Sequence, residues 1–213
     1  MKNRLFMSGA TKTVMMLVSF LVCHVSMAAP EWTLAKDAEG IRVYTQAVAG
    51  SPLREFRGEV DIAATPEQVV RVLKDANSFR KWMPNVVVSE LLKSSETDQH
   101  HYLENAVPWP LVNRDGVYHF MYSHSDEGGI AVTTVRVEAL PDYLPKKDGK
   151  VRIPKSDGYW KIIPVASGVK VIWQIHAYPG GEIPAWLVNS TVIDTPFKTL
   201  KGLRNFLQPE AKH

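Results

Sequence analysis

Cysteine is almost missing: the 213-residue chain holds one, Cys23. One thiol cannot form an internal disulfide framework. Cys23 also falls inside the leader described below, so the remainder offers no thiol for catalysis and no Cys-ligated zinc. Acidic residues are absent from the first 28 positions, where Lys2, Arg4 and Lys12 stand alone. Removing those three from the 25 basic residues leaves 22 against 22 acids, so the net charge of +3 belongs to the leader. A nucleic-acid footprint needs a basic excess, and none remains. Chemical motifs are scarce too. There is no Gly-x-Ser-x-Gly elbow and no helical i, i+4 pair of histidines. The pairs Gly128-Gly129 and Gly180-Gly181 read as turn glycines, not as a phosphate cradle. Repeats and low-complexity tracts are absent. No apolar run reaches the length of a comfortable membrane span.

What is present begins with that leader. Residues 1–28 have the form of a secretory signal peptide: three positive charges, an apolar run from Val14 to Val25, then Ser26-Met27-Ala28. Cleavage is expected after Ala28, with export to the periplasm or beyond. An uncleaved anchor and a lipoprotein built on Cys23 are the alternatives; bulky Leu21 and Val22 argue against the second. The expected mature chain, 29–213, is long enough for one domain with a real core.

Its pattern is mostly period 2, the signature of strands. Between Arg54 and Ile62, Phe56, Val60 and Ile62 oppose Glu55, Arg57, Glu59 and Asp61. Between Val169 and Tyr178, Val171, Trp173, Ile175 and Ala177 oppose Lys170, Gln174 and His176. Further strands are expected at about 41–47, 86–94, 99–107, 116–124, 130–139 and 158–165. Short turn signals separate them, which predicts an antiparallel meander. Thr65-Pro66-Glu67-Gln68 is a capping box with proline at the first helical position. A second helix is predicted from Pro184 to Leu207, with Val188, Val192, Pro196, Leu200, Leu203 and Leu207 along one side. Pro196 should kink or split it, and Gly202 should weaken it by about 1 kcal/mol relative to Ala.

Val107–Tyr118 reads Val-Pro-Trp-Pro-Leu-Val-Asn-Arg-Asp-Gly-Val-Tyr. This resembles the Pro-x-Pro-x-x-x-Arg-Asp-x-Val-Tyr stretch of StAR-related lipid-transfer (START) domains, especially the phosphatidylcholine-transfer type. Asp37–Tyr44, Phe79–Pro84, Val151–Ile153, Gly158–Trp160 and Pro179–Asn189 match other parts of that family in order. The resemblance implies an α+β helix-grip fold: a curved antiparallel sheet wrapped around a long C-terminal helix, with an internal apolar tunnel for one lipid. It also implies a carrier and not an enzyme, with no cofactor, working as a monomer through transient membrane contact. A cyclase/aromatase-type enzyme of the same fold and a non-transferring lipid sensor are the competing readings.

Laid on that family, His101, Leu103 and Asn105 fall on the tunnel side of one strand, and Tyr118, Phe120 and Tyr122 on the next. His101 and Phe120 stand where some sterol-binding START domains carry a buried acid–base pair, so that anchoring pair is missing here. Trp173 and Ile175 are expected at the tunnel, with Val188, Val192 and Leu200 on the lid. Arg114 either meets a lipid phosphate or, with Asp115, anchors the loop before a strand; neighbours in a strand face opposite ways, so both cannot line the tunnel. Trp82, Trp109 and Trp186 are expected to pack beneath loops, with insertion into a membrane interface as the alternative. Lys146, Lys147, Lys150, Arg152 and Lys155 read as a solvated basic loop, or as a contact for anionic headgroups. No metal is expected, because His100 and His101 alternate faces, as do His119 and His124.

Overall fold

The structure, a computed structural model, describes residues 31–208. The expected leader and cleavage site lie outside the described residues. Ten strands form one sheet: β1 (Thr33–Ala38), β2 (Ile41–Gln46), β3 (Glu55–Ile62), β4 (Val86–Ser94), β5 (Asp98–Asn105), β6 (Arg114–Asp126), β7 (Ala131–Ala139), β8 (Val151–Arg152), β9 (Lys155–Val165) and β10 (Gly168–Tyr178). Their order is β1-β2-β3-β10-β9-β7-β6-β5-β4, antiparallel throughout, with the short β8 pairing parallel to β6. The sheet is curved but does not close into a barrel, since β1 and β4 stay apart as edges. Each predicted strand is present. The sequence pattern missed β1 because its residues are exposed or half-buried, so the apolar alternation of a packed strand is absent.

The helices all pack on one side, called here the inner face. Helix α1 (Pro66–Lys74) opens with the predicted capping box. The Gln68 backbone N–H donates to Thr65 Oγ1 at 3.3 Å, and the Thr65 N–H donates to Gln68 Oε1 at 2.8 Å. Val69 and Leu73 bury its inward side. A 3-10 turn at Ala76–Ser78 leads into the single-turn α2 (Phe79–Trp82), which ends just before Pro84.

The C-terminal helical run is split, as Pro196 suggested. Helix α3 (Ala185–Thr191) stops, and α4 (Asp194–Leu207) begins after two intervening residues, Val192 and Ile193. Pro196 falls in the first turn of α4, where a missing N–H costs no helical hydrogen bond. The two pieces are held very differently. Helix α4 buries Pro196, Phe197, Thr199, Leu200 and Leu203, whereas α3 buries no residue fully. Around the rim, Lys201 and Arg204 reach Glu39 and Lys36 reaches Asp194. These exposed contacts orient α4 more than they stabilise it. Among the described residues no helix is long and apolar enough to cross a membrane.

Two glycines set the depth at which α4 sits. A Cβ on Gly58 of β3 would lie 2.6 Å from the Leu200 side chain. One on Gly202 would lie 2.0 Å from the Trp82 carbonyl oxygen. Gly202 is therefore a point of close approach between α4 and α2, and not simply a weak spot in a helix. The two views give opposite signs for Gly202→Ala. Helix propensity alone would add about 1 kcal/mol of stability. The clash with backbone should instead cost about 1–3 kcal/mol. Denaturant unfolding is expected to show the loss, with an unchanged slope.

Candidate functional site

Strand register builds the inner face. His101 pairs with Tyr118, Gln99 with Phe120 and Leu103 with Gly116, so these side chains share one side of β5 and β6. Trp173 pairs with Trp160 on one flank and Gly58 on the other, which places it under α4. His101, Leu103, Tyr118, Phe120, Tyr122, Trp173, Ile175, Val192 and Leu200 are all buried, on this face or on the C-terminal helical run that covers it. Asn105 and Val188 are half-buried, at the end of β5 and on α3.

The inner face is aromatic. The Trp160 and Trp173 rings stack at 4.7 Å, Phe56 meets Trp173 edge-on at 4.9 Å, and Trp82 meets Trp160 at 6.1 Å. Farther along, His101 stacks on Phe120 at 4.2 Å with Phe79 against its edge. Of the tunnel candidates of the sequence reading, His101, Phe120 and Trp173 take part in this ring-on-ring packing. Two pockets border other parts of the sheet, the first of them reaching Tyr122. One of about 420 Å³ is bordered by Lys93, Asp98, His100 and His119, and one of about 340 Å³ by α1 with His124 and Thr133.

A short polar chain crosses this apolar interior. Gln99 Oε1 accepts from His101 Nε2 at 3.1 Å, which leaves His101 Nδ1 as a buried acceptor without a partner. Tyr122 Oη lies 3.2 Å from the same oxygen and 3.1 Å from the Leu73 carbonyl, so its one proton serves either. Trp173 Nε1 is buried without an acceptor. Burial pushes His101 down to about 4 and pushes the Tyr118 and Tyr122 hydroxyls up. At neutral pH the inner face therefore carries a neutral imidazole and neutral phenols.

Carboxylates are kept off this face. The buried acids among the described residues are Glu59, Glu104 and Asp115. Glu59 meets Arg57 and Arg42 on the outer side of β3, and Glu104 meets Lys150. Asp115 takes the Arg152 guanidinium side-on, with Nε and Nη2 donating at 3.0 and 2.9 Å. Burial pushes the Asp115 carboxyl up, but the Arg152 bonds outweigh it and hold it below its ordinary value. Arg152 is hence no member of a solvated loop. It is buried and ties the 141–152 segment to the outer face, where Lys147 also sits 3.7 Å above the Tyr102 ring. Arg114 and Asp115 do face opposite ways, and only Arg114 points inward.

Three further corrections follow. Trp82 is buried, but Trp109 and Trp186 are 91% and 72% exposed, so they do not pack beneath their loops. They stand on the 106–113 loop and at the start of α3. His100 and His119 lie opposite each other on β5 and β6, with rings stacked at 4.6 Å. Along the sequence they look unrelated; pairing puts them on one face. With Asp98 they place ligand atoms within 4.8 Å of one another, a set able to offer imidazole and carboxylate donors to a metal ion.

His101 gives a pH test of the packed interior. An unfolded histidine takes a proton near 6.5, and the buried one only near 4. The unfolded state binds the extra proton between those values, so stability falls as pH drops through that window. The loss attributable to His101 is about 3 kcal/mol. Denaturant unfolding at pH 7 and pH 4 is expected to show His101→Phe losing less stability than the wild type by roughly that amount.

The profile of the family described as polyketide cyclase/dehydrase and lipid transport matches residues 54–201. An uncharacterized protein of Pseudomonas aeruginosa is 38% identical over 179 residues, 83% of this chain and 87% of that protein. The phosphatidylcholine transfer protein of Rattus norvegicus is 28% identical over 173 residues, 77% of this chain and 78% of that one. Among solved structures, a STAR-related lipid transfer protein fragment from Xanthomonas axonopodis is 60% identical, with a TM-score of 0.79, covering 83% of this chain and 98% of that chain. Human StAR-related lipid transfer protein 5 shares the fold at 19% identity and a TM-score of 0.72, covering 84% and 86%.

Proposed function

The chain belongs to the START family, within the polyketide cyclase/dehydrase and lipid transport group, and we propose that it encloses one lipid between its sheet and its C-terminal helices and carries it between membranes. The observation that supports this most is the character of the inner face. It is lined with aromatic and aliphatic side chains, and among the described residues the buried carboxylates lie on the other side. Each buried methylene of a ligand gains about 0.8 kcal/mol there. An enzyme working on a bound polyketide would need a proton donor or acceptor at neutral pH. His101, Tyr118 and Tyr122 are shifted away from that range.

The lid opens at its weaker half. Helix α3 is held to residues 52–54 mainly through Asn189, which accepts from the Arg54 N–H at 3.0 Å and donates to the Pro52 carbonyl at 3.1 Å. Helix α4 stays seated on Gly58 and Trp82, and the break at Val192–Ile193 is the hinge. Elements with little buried surface open at the lowest cost. Trp109 and Trp186 supply exposed rings that dip into a membrane interface while the lipid passes. We infer from the leader that the mature protein acts in the periplasm or outside the cell, and propose that it does so as a monomer without nucleic acid.

Native mass spectrometry of the mature protein from periplasm, followed by denaturing lipid analysis, tests the reading. One co-purifying lipid per chain is expected. Protein that stays empty after incubation with mixed membrane lipids would overturn it. Val192→Trp overfills the junction of the lid and should abolish uptake while leaving the fold intact; unchanged uptake would refute the lid assignment.

A further inference from the structure

Two arginines are buried at the start of β6 and in β8, and they are treated in opposite ways. Arg152, 6% exposed, has its guanidinium filled: Asp115 takes Nε and Nη2, and the carbonyls of Pro141, Leu144 and Pro145 take further protons. Arg114, 4% exposed, has one partner, the Val112 carbonyl, which accepts from Nη1. Its Nε is buried with nothing to donate to. Among the described residues no carboxylate lies within 4.0 Å of it. Burial alone pushes its guanidinium down, with no acid to counter it.

A buried cation without a counter-ion is unfavourable, and proteins keep one chiefly where something else supplies the negative charge. Its place in the fold says what that is. Arg114 pairs with Asn105 across β5, on the inner-face side shared by Leu103 and Tyr118. It stands at the foot of the 106–113 loop, the loop that carries exposed Trp109. Its Nη2 lies beside exposed Gly181, where an added Cβ would be 3.7 Å away, in the turn that leads to α3. The guanidinium therefore sits where the apolar interior meets the opening half of the lid. A planar fork of donors there matches a pair of anionic oxygens.

We propose that Arg114 takes the anionic oxygens, phosphodiester or carboxylate, of the lipid enclosed on the inner face, so that the ligand is an anionic or phosphate-bearing amphiphile and not a neutral lipid. This rests on the lipid-enclosing reading above and adds the chemistry of the head. The charged end lies at the loop 106–113 mouth, and the acyl part runs along the aromatic wall toward Trp160 and Trp173.

The test uses delipidated mature protein and four probes, each offered separately: dioleoylphosphatidylglycerol, oleate, dioleoylglycerol, and inorganic phosphate. Bound ligand is counted by native mass spectrometry. The wild type is expected to take phosphatidylglycerol or oleate at least tenfold better than dioleoylglycerol, and inorganic phosphate alone should not bind. Arg114→Met should drop anionic uptake to the dioleoylglycerol level, leave dioleoylglycerol uptake unchanged and not lower the thermal midpoint. Arg114→Lys keeps the charge without the fork and should fall between.

Several results would overturn the proposal. Equal wild-type uptake of phosphatidylglycerol, oleate and dioleoylglycerol would do so, as would full anionic uptake by Arg114→Met. Binding of phosphate alone would make the site one for a free ion. Equal loss of all lipids in Arg114→Met, with a lowered midpoint, would make Arg114 a loop anchor. If Arg114→Met does not fold, the wild-type preference and Arg114→Lys decide. A wild type that takes up no lipid of any kind removes the enclosing reading itself, a result distinct from uptake without regard to charge.

Discussion

A curved sheet that does not close leaves one whole apolar face in need of a cover, and the rest of this molecule follows from how that cover is seated. Helix α4 can lie close only because Gly58 and Gly202 carry no Cβ where Leu200 and the Trp82 carbonyl come in. That seat brings Phe197, Leu200 and Leu203 onto the face and leaves the rim to exposed ion pairs. It also leaves α3 outside the close seat, with no fully buried residue. A deeply seated part and a shallow part of one cover are thus set by which residues find an apolar partner.

The second constraint is alternation. Because successive strand residues face opposite sides, each strand of the middle sheet supports two separate environments. Outside, the acids Glu59, Glu104 and Asp115 are matched with cations, and the 141–152 segment is clamped by Arg152. Inside, aromatic rings pack on one another around a small set of polar groups that includes Gln99, His101, Tyr118, Tyr122, Trp173 Nε1 and, at the start of β6, Arg114. Separating the acids from the inner face leaves that face with apolar side chains and a few buried polar groups, the imidazole and phenols among them neutral at neutral pH.

Much of this was legible along the chain. Alternation at Arg54–Ile62 and Val169–Tyr178 marked β3 and β10, and Thr65–Gln68 marked the start of α1 to the residue. Pro196 announced the break in the C-terminal run. Inner-face residues from His101 to Ile175 were reached by combining period 2 with a family resemblance, because periodicity alone could not choose between Tyr118/Phe120/Tyr122 and Val117/His119/Met121. Edge strand β1 escaped because an exposed strand has no apolar side to reveal. The exposure of Trp109 and Trp186 was missed because an indole in a loop reads alike whether it is covered or bare.

The sequence by itself determined the packed strands, the cap of α1, the break in the C-terminal run and the order of these elements, since those depend on neighbours a few residues apart. Tertiary structure decided what depends on residues far apart. Asp115 and Arg152, 37 positions apart, become one buried pair, and that leaves adjacent Arg114 without an acid. His100 meets His119 only through strand register. Gly202 changes from a helix-weakening residue to a required contact because α2 arrives at that point. Local propensities fix how a segment folds, but which charge is satisfied and which is left open is settled only when distant segments are brought within a few ångströms.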